Sequence, residues 1–212
     1  MRAPLSYIKT STDLLLSDRD HELVAETPGI IATIGRQVWH LLDLLDKLLD
    51  FSIIEAGQMT ITPLRVEVAI WLSEVIARQE PEAQAKNILI ETCPVPSGWI
   101  EIDPLRLEQA LTNLISNALK YSPRDSQVQI EVLRAEDHWY FAISDQGSGV
   151  RPDDAHRLFK PFQRGPSQPT GGEKSTGLGL SIARSIVSAH GGEIGVTGNS
   201  DGGATFWFTI PA

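Results

Sequence analysis

Apolar positions in the first sixty residues recur at helical spacing. Ile31, Ile34, Val38, Leu41, Leu45, Leu48 and Ser52 advance alternately by three and four, the signature of an a/d seam. Ile30, Leu42 and Leu49 widen the stripe beyond what one partner helix covers. Upstream, Leu5, Ile8, Thr12 and Leu15 predict a second helix, and the polar stretch SDRDHELVAETP separates the two, with Thr27-Pro28 suited to open the later one. The pattern predicts an antiparallel helical hairpin over residues 1–60. Two such hairpins would bury their wide faces as a homodimeric four-helix bundle.

Gly57 closes the long helix, and the pattern then changes. Residues 68–85 are predicted helical, with Ile70, Trp71, Val75 and Ile76 facing inward. Strands are predicted at 88–92 and 98–102. Asp103 as N-cap and Pro104 at the first helical position then start a helix that runs to Tyr121. QVQIEVLRA (127–135) and HWYFAISD (138–145) alternate as two strands of a hairpin. The stretch 164–176 is rich in Gly, Pro and Ser and is predicted to be a loop. A helix over 177–190 and strands at 193–198 and 204–210 complete the chain. The class is α+β: a helical hairpin over 1–60, then an α/β sandwich with a mixed sheet over 61–212.

Composition narrows the function classes. Lys plus Arg is 18 against 27 Asp plus Glu, a net charge of −9, which disfavours nucleic acid as a partner. Cys93 is the single cysteine, so an internal disulfide and a multi-cysteine zinc site are excluded. A reducing, cytoplasmic location is the expectation, since neither a membrane-spanning run nor a signal-peptide core is present.

Four segments carry chemistry. In NLISNALKYS (113–122), Asn113, Asn117, Lys120 and Tyr121 share a helix face that packing would ordinarily make apolar. Amide oxygens suit Mg²⁺, an ammonium suits phosphate, and an aromatic ring suits a base. In DQGSG (145–149), Asp145 at a strand end can accept a hydrogen bond from the exocyclic amine of adenine, and Gly147 and Gly149 let backbone approach a flat base. In STGLGLSIARSIV (175–187), two glycines open a helix after a loop, an anion site with Ser175 or Thr176 as cap. No Gly-Lys dipeptide occurs, so this is not a Walker loop. GGATFWFTI (202–210) places small residues before a strand.

Taken in order, these segments resemble the boxes of sensor histidine kinases of two-component systems, within the GHKL group of ATP-binding proteins. NLISNALKYS resembles the N box, DQGSG the first glycine box, LFKPFQR (158–164) the F box, STGLGLSIA the second glycine box and GGATFWF the third. MRAPLSYI resembles the downstream part of the H box, and LLDFSIIEAGQ the end of the second dimerisation helix. The resemblance implies a GHKL or Bergerat-type fold using ATP and Mg²⁺. It places Asn117 on the metal, Asn113 near the phosphates, Lys120 and Arg164 on phosphate, and Tyr121 against the nucleotide. Asp145 would recognise adenine, with Gly147 and Gly149 shaping the pocket. Thr176, Gly177, Leu178, Gly179 and Leu180 would hold phosphates under a 164–176 lid, Phe159 and Phe162 would couple lid to packing, and Thr205 would lie near the base. The implied partners are a second copy of the chain, the receiver domain of a response regulator and an upstream sensor domain.

The H box is incomplete. Aligning Arg2, Pro4 and Leu5 with the family pattern sets the phospho-accepting histidine two positions before Met1. HELVAETP (21–28) echoes the motif without the Arg-x-Pro-Leu that should follow, so His21 is not its equivalent. The expectation is a portion of a larger sensor kinase that binds Mg-ATP without labelling itself. Ala3, where many relatives carry Thr or Asn, suggests weak phosphatase activity. A GHKL serine kinase or ATPase, and an ATP-sensing dimeric scaffold, are the alternatives; the a/d hairpin and RAPLSYI favour the histidine kinase.

Overall fold

The structure, a computed structural model, describes residues 2–17, 27–57, 59–163, 169–170, 176–200 and 202–212. The chain divides into two compact units, Met1–Ser52 and Ile53–Ala212. In the first, α1 spans Arg2–Ser17, and α2 (Thr27–Glu55) continues just into the second. Gly57 ends α2 as foreseen: it takes a left-handed φ of 64° and its N–H meets the carbonyl of Ile54 at 3.0 Å. The connection 18–26, with His21, lies outside the described residues. On α2 the seam stays exposed along Ile31, Val38, Leu42, Leu45 and Leu49.

In the second unit, β1 (Leu64–Glu67) pairs antiparallel with β3 (Trp99–Ile102) in a small sheet. The larger sheet runs β2-β4-β5-β7-β6. Its strands are β2 (Leu89–Thr92), β4 (Gln127–Arg134), β5 (His138–Ser144), β6 (Ile194–Gly198) and β7 (Ala204–Pro211). The β2–β4 pair is parallel and the others antiparallel, so the sheet is mixed. Helices α3 (Val68–Ala85), α4 (Pro104–Tyr121) and α6 (Gly179–Ala189) pack on it, with short α5 (Pro152–Leu158) beside β6.

Period-two alternation sends Trp139, Phe141 and Ile143 of β5, with Phe206, Phe208 and Ile210 of β7, to the buried face. Phe141 stacks on Phe208 at 4.7 Å and meets the edge of Trp71 from α3 at 6.1 Å. Helix α4 buries Leu107, Leu111, Leu114, Ile115 and Leu119 completely. Truncating one of these to Ala costs about 2–5 kcal/mol. Ile70 departs from the inward set expected on α3: it is 57% exposed, while Val68 and Leu72 are buried with Trp71 and Val75. The helix is rotated so that its 68, 71, 72 and 75 face meets α4 and the sheet.

Two caps fix the ends of α4 and α6. Asp103 is the N-cap of α4: its Oδ1 accepts from Arg106 N–H at 3.1 Å, and its Oδ2 accepts from Thr62 N–H at 2.9 Å. Burial alone pushes the Asp103 carboxyl up, but these backbone donors outweigh it and hold the group below its ordinary value. His190, the C-cap of α6, donates from Nδ1 to the carbonyl of Ile186 at 2.8 Å and accepts at Nε2 from Asp103 N–H at 3.0 Å. That pair of bonds requires the neutral imidazole. The C-terminal end of α6 is thereby tied to the N-terminal end of α4.

Candidate nucleotide site

The apolar face of α4 is buried, so its opposite face must carry Asn113, Asn117, Lys120 and Tyr121, all half-buried. Neither Asn113 nor Asn117 has a side-chain hydrogen bond among the described residues. The N-terminus of α6 closes on this face: a Cβ on Gly179 would stand 3.1 Å from Asn113 Oδ1. At its C-terminal end α4 meets the 145–149 turn, where a Cβ on Gly147 would lie 2.7 Å from the Tyr121 carbonyl and 3.0 Å from Asp145 Oδ1. Glycine is required there by close approach rather than by φ.

Asp145 follows β5 directly and is 4% exposed. Its Oδ1 accepts from Gly147 N–H at 2.8 Å and Ala204 N–H at 3.1 Å. No donor among the described residues meets Oδ2. Burial pushes the Asp145 carboxyl up, against the two backbone donors that lower it. The carboxylate is thus half satisfied, with one oxygen left for an incoming N–H. Gly149, at a φ of +71°, packs where a Cβ would come within 2.6 Å of the Gly202 carbonyl.

The glycine-box helix starts later than the spacing indicated. Leu178 is the N-cap of α6, without a side-chain cap; Thr176 Oγ1 instead accepts from Leu178 N–H at 3.3 Å, ahead of the helix. Gly177 takes a φ of +73°, and its carbonyl accepts from Phe162 N–H at 2.9 Å. Leu178 is buried and Leu180 half-buried. Phe159 is buried while Phe162 is 59% exposed. Arg164 and Ser175 lie outside the described residues, as does most of the 164–176 stretch.

Thr205 lies on β7. It pairs across from Ser144, with the two hydroxyls 2.8 Å apart, on the sheet face opposite Phe206. Its neighbour Ala204 makes the contact to Asp145. Two contributors escaped the sequence reading. Asn199 donates from Nδ2 to the Asp145 carbonyl at 2.8 Å and accepts at Oδ1 from Gly203 N–H at 2.9 Å, riveting two turns together. Gly203 has no room for a side chain under the Asp145 carbonyl. The Gly202-Gly203 dipeptide was the available signal for the second; nothing in the sequence singles out Asn199.

Among the described residues no His, Cys, Asp and Glu cluster could cage a metal, and no helix is long and apolar enough to cross a membrane. The sequence profile of the histidine kinase-, DNA gyrase B- and HSP90-like ATPases matches residues 102–212. The chain belongs to this family. Within it, the similarity runs to sensor histidine kinases. Sensor histidine kinase GacS of Pseudomonas protegens is 30% identical over 99% of this chain, which spans 23% of GacS. The structure of full-length ShkA in complex with AMPPNP is 30% identical, with a TM-score of 0.73 over 88% of this chain and 39% of that one. The histidine kinase AdeS of Acinetobacter baumannii, 24% identical, shares the fold over 99% of this chain and 94% of its own, with a TM-score of 0.74. The ATPase domain is thus of the sensor histidine kinase type, with its mixed sheet and N-terminal helices as expected.

Proposed function

We propose that this chain is the Mg-ATP-binding catalytic portion of a sensor histidine kinase, delivering the γ-phosphoryl group to a histidine that its own 212 residues do not supply. One observation carries the reading: Asp145, buried and with Oδ1 alone engaged, offers Oδ2 as an acceptor to the same site that the amide face of α4 borders. Adenine presents a donor to such an acceptor, whereas guanine presents an oxygen and is repelled. The fit to Mg²⁺ rests on the donor set: Asn113 and Asn117 are neutral amides one turn apart, half-exposed and without side-chain partners among the described residues. Asn117 would hold the ion, which supplies charge neutralisation at the phosphates. Asn113 and the N–H groups opening α6 at Gly179 and Leu180 orient the phosphate chain. Lys120 and Arg164 add positive charge, Tyr121 lies against the nucleotide, and Thr205 supports the site indirectly by fixing Ser144 beside Asp145.

Residues 1–60 serve as the dimerisation hairpin and 61–212 as the catalytic domain. The exposed stripe of α2 supports a homodimer, and a receiver domain and an upstream sensor are the partners that the relatives suggest. A cytoplasmic location fits this role. Of the histidines present, His190 makes a poor acceptor, because both of its ring nitrogens are engaged. Titration calorimetry with Mg-ATP and Mg-GTP tests the reading; ATP binds at least about tenfold tighter, matching one well-placed hydrogen bond. Incubation with γ-labelled ATP leaves the chain unlabelled. Equal binding of the two purines, or acid-labile phosphate on any of its own histidines, overturns the respective part.

A further inference from the structure

Lys86 ends α3 and is 8% exposed, an unusual place for a lysine. Its ammonium donates to the carbonyls of Leu119 at 2.9 Å and Lys120 at 3.2 Å, and to Thr170 Oγ1 at 3.1 Å. The last carbonyls of a helix have no partner within it, and the helix dipole makes that end negative. A buried cation there answers both needs for α4. Thr170, 50 residues further along the chain, joins the same knot. Its N–H donates to the Lys120 carbonyl at 2.9 Å, and its hydroxyl stands 3.0 Å from that oxygen and 2.7 Å from the Ser122 carbonyl.

The carbonyls held by this knot belong to the turn of α4 that bears Lys120 and Tyr121. On its other side that turn is pressed by Gly147, against the Tyr121 carbonyl. The connection between Phe162 and Gly177 is pinched at its base by the Phe162 N–H to Gly177 carbonyl bond, and Thr170 fastens it a second time, to α4. Lys86 therefore joins α3, the end of α4 and the middle of that connection at one point, although it lies on none of the glycine-rich boxes.

We propose that Lys86, acting through Thr170, is a positioning residue for the nucleotide's phosphates: it fixes the last turn of α4, and with it Lys120, relative to the glycines at the start of α6. This inference rests on the Mg-ATP reading above. The adenine contact at Asp145 does not run through Lys86, so the two halves of a nucleotide should respond differently.

The test is calorimetric titration of the whole chain with Mg-ATP and with adenosine, for the wild type, Lys86→Met, Lys86→Arg and Thr170→Val. Lys86→Met and Thr170→Val each weaken Mg-ATP binding about tenfold, the scale of a lost charged hydrogen bond, while adenosine binding stays within about twofold. Lys86→Arg restores much of the Mg-ATP affinity. Thr170→Val, an isosteric change at an exposed residue, keeps the question open to decision if Lys86→Met does not fold. Equal weakening of ATP and adenosine identifies a purely structural lysine and overturns the proposal. So does unchanged Mg-ATP affinity in Thr170→Val beside a wild type that binds. A wild type that binds neither ligand removes the nucleotide reading itself, and the proposal with it.

Discussion

Gly203 lies against the main-chain carbonyl of Asp145, so close that any side chain at 203 would overlap it. The same turn supplies the Ala204 N–H that holds Asp145 Oδ1. Gly203→Ala must therefore displace the turn, and the carboxylate moves with it. We expect a loss of about 1–3 kcal/mol in stability, read by thermal melting, and at least about a tenfold loss in Mg-ATP affinity. Retention of full affinity would show that the carboxylate does not depend on this turn.

Asp145→Asn separates recognition from stability. Losing the charge-assisted acceptor should weaken Mg-ATP by about 1.5–3 kcal/mol, roughly 10- to 150-fold. The fold itself gains, because burial raises the Asp145 carboxyl above its ordinary 3.8 and the native state holds the proton more tightly than the unfolded chain. The wild-type contribution to stability is therefore greatest below 3.8, falls as pH rises through the raised folded value, and is flat above it. At neutral pH the asparagine variant should melt higher and bind less; lower melting together with weaker binding would contradict this.

Asp103 titrates with the opposite sign. Its carboxyl is held below 3.8, so its stabilisation is present above that pH and disappears as pH falls through the lower folded value. Asp103→Ala should cost about 1–2 kcal/mol at neutral pH as the α4 cap is lost. Asp103→Asn, which keeps the oxygen facing Arg106 N–H, should cost less. Denaturant melts of the three proteins at pH 7 and near pH 3 check this, and the difference between wild type and alanine should shrink in acid.

The exposed seam of α2 gives a prediction in the ultracentrifuge. Leu45 and Leu49 are 43% and 62% exposed, and burying each in a dimer is worth about 1.5–3 kcal/mol. Leu45→Gln with Leu49→Gln should convert a micromolar dimer to monomer while Mg-ATP affinity is kept. A wild type that sediments only as monomer at that concentration rejects the homodimer.

How much of this was legible beforehand follows from physics local to the chain. Helix α4 was visible because Asp103-Pro104 marks its start and its apolar stripe contrasts with the Asn113–Tyr121 face. The β4–β5 hairpin showed as plain alternation. Strand β1 was missed because four residues, Leu64 to Glu67, carry too little pattern, and its partner β3 lies more than thirty residues away. Helix α5 has no buried residue, so no apolar period announces it. The site residues were named from their boxes, but partners such as Asn199 and Lys86 depend on contacts that no spacing encodes. The bond between the Thr205 and Ser144 hydroxyls likewise depends on a pairing across two strands that no spacing encodes.

The Asp103 N–H to His190 Nε2 bond fixes α4 and α6 to each other. Joined at one end, they run about 15 Å, the rise of ten or eleven residues, before Asn113 and Gly179 face each other at the other. The two helices pack on each other along that length, so the register set at His190 carries through to where Gly179 meets Asn113. One imidazole thus sets where a whole pair of helices ends up at the edge of the site.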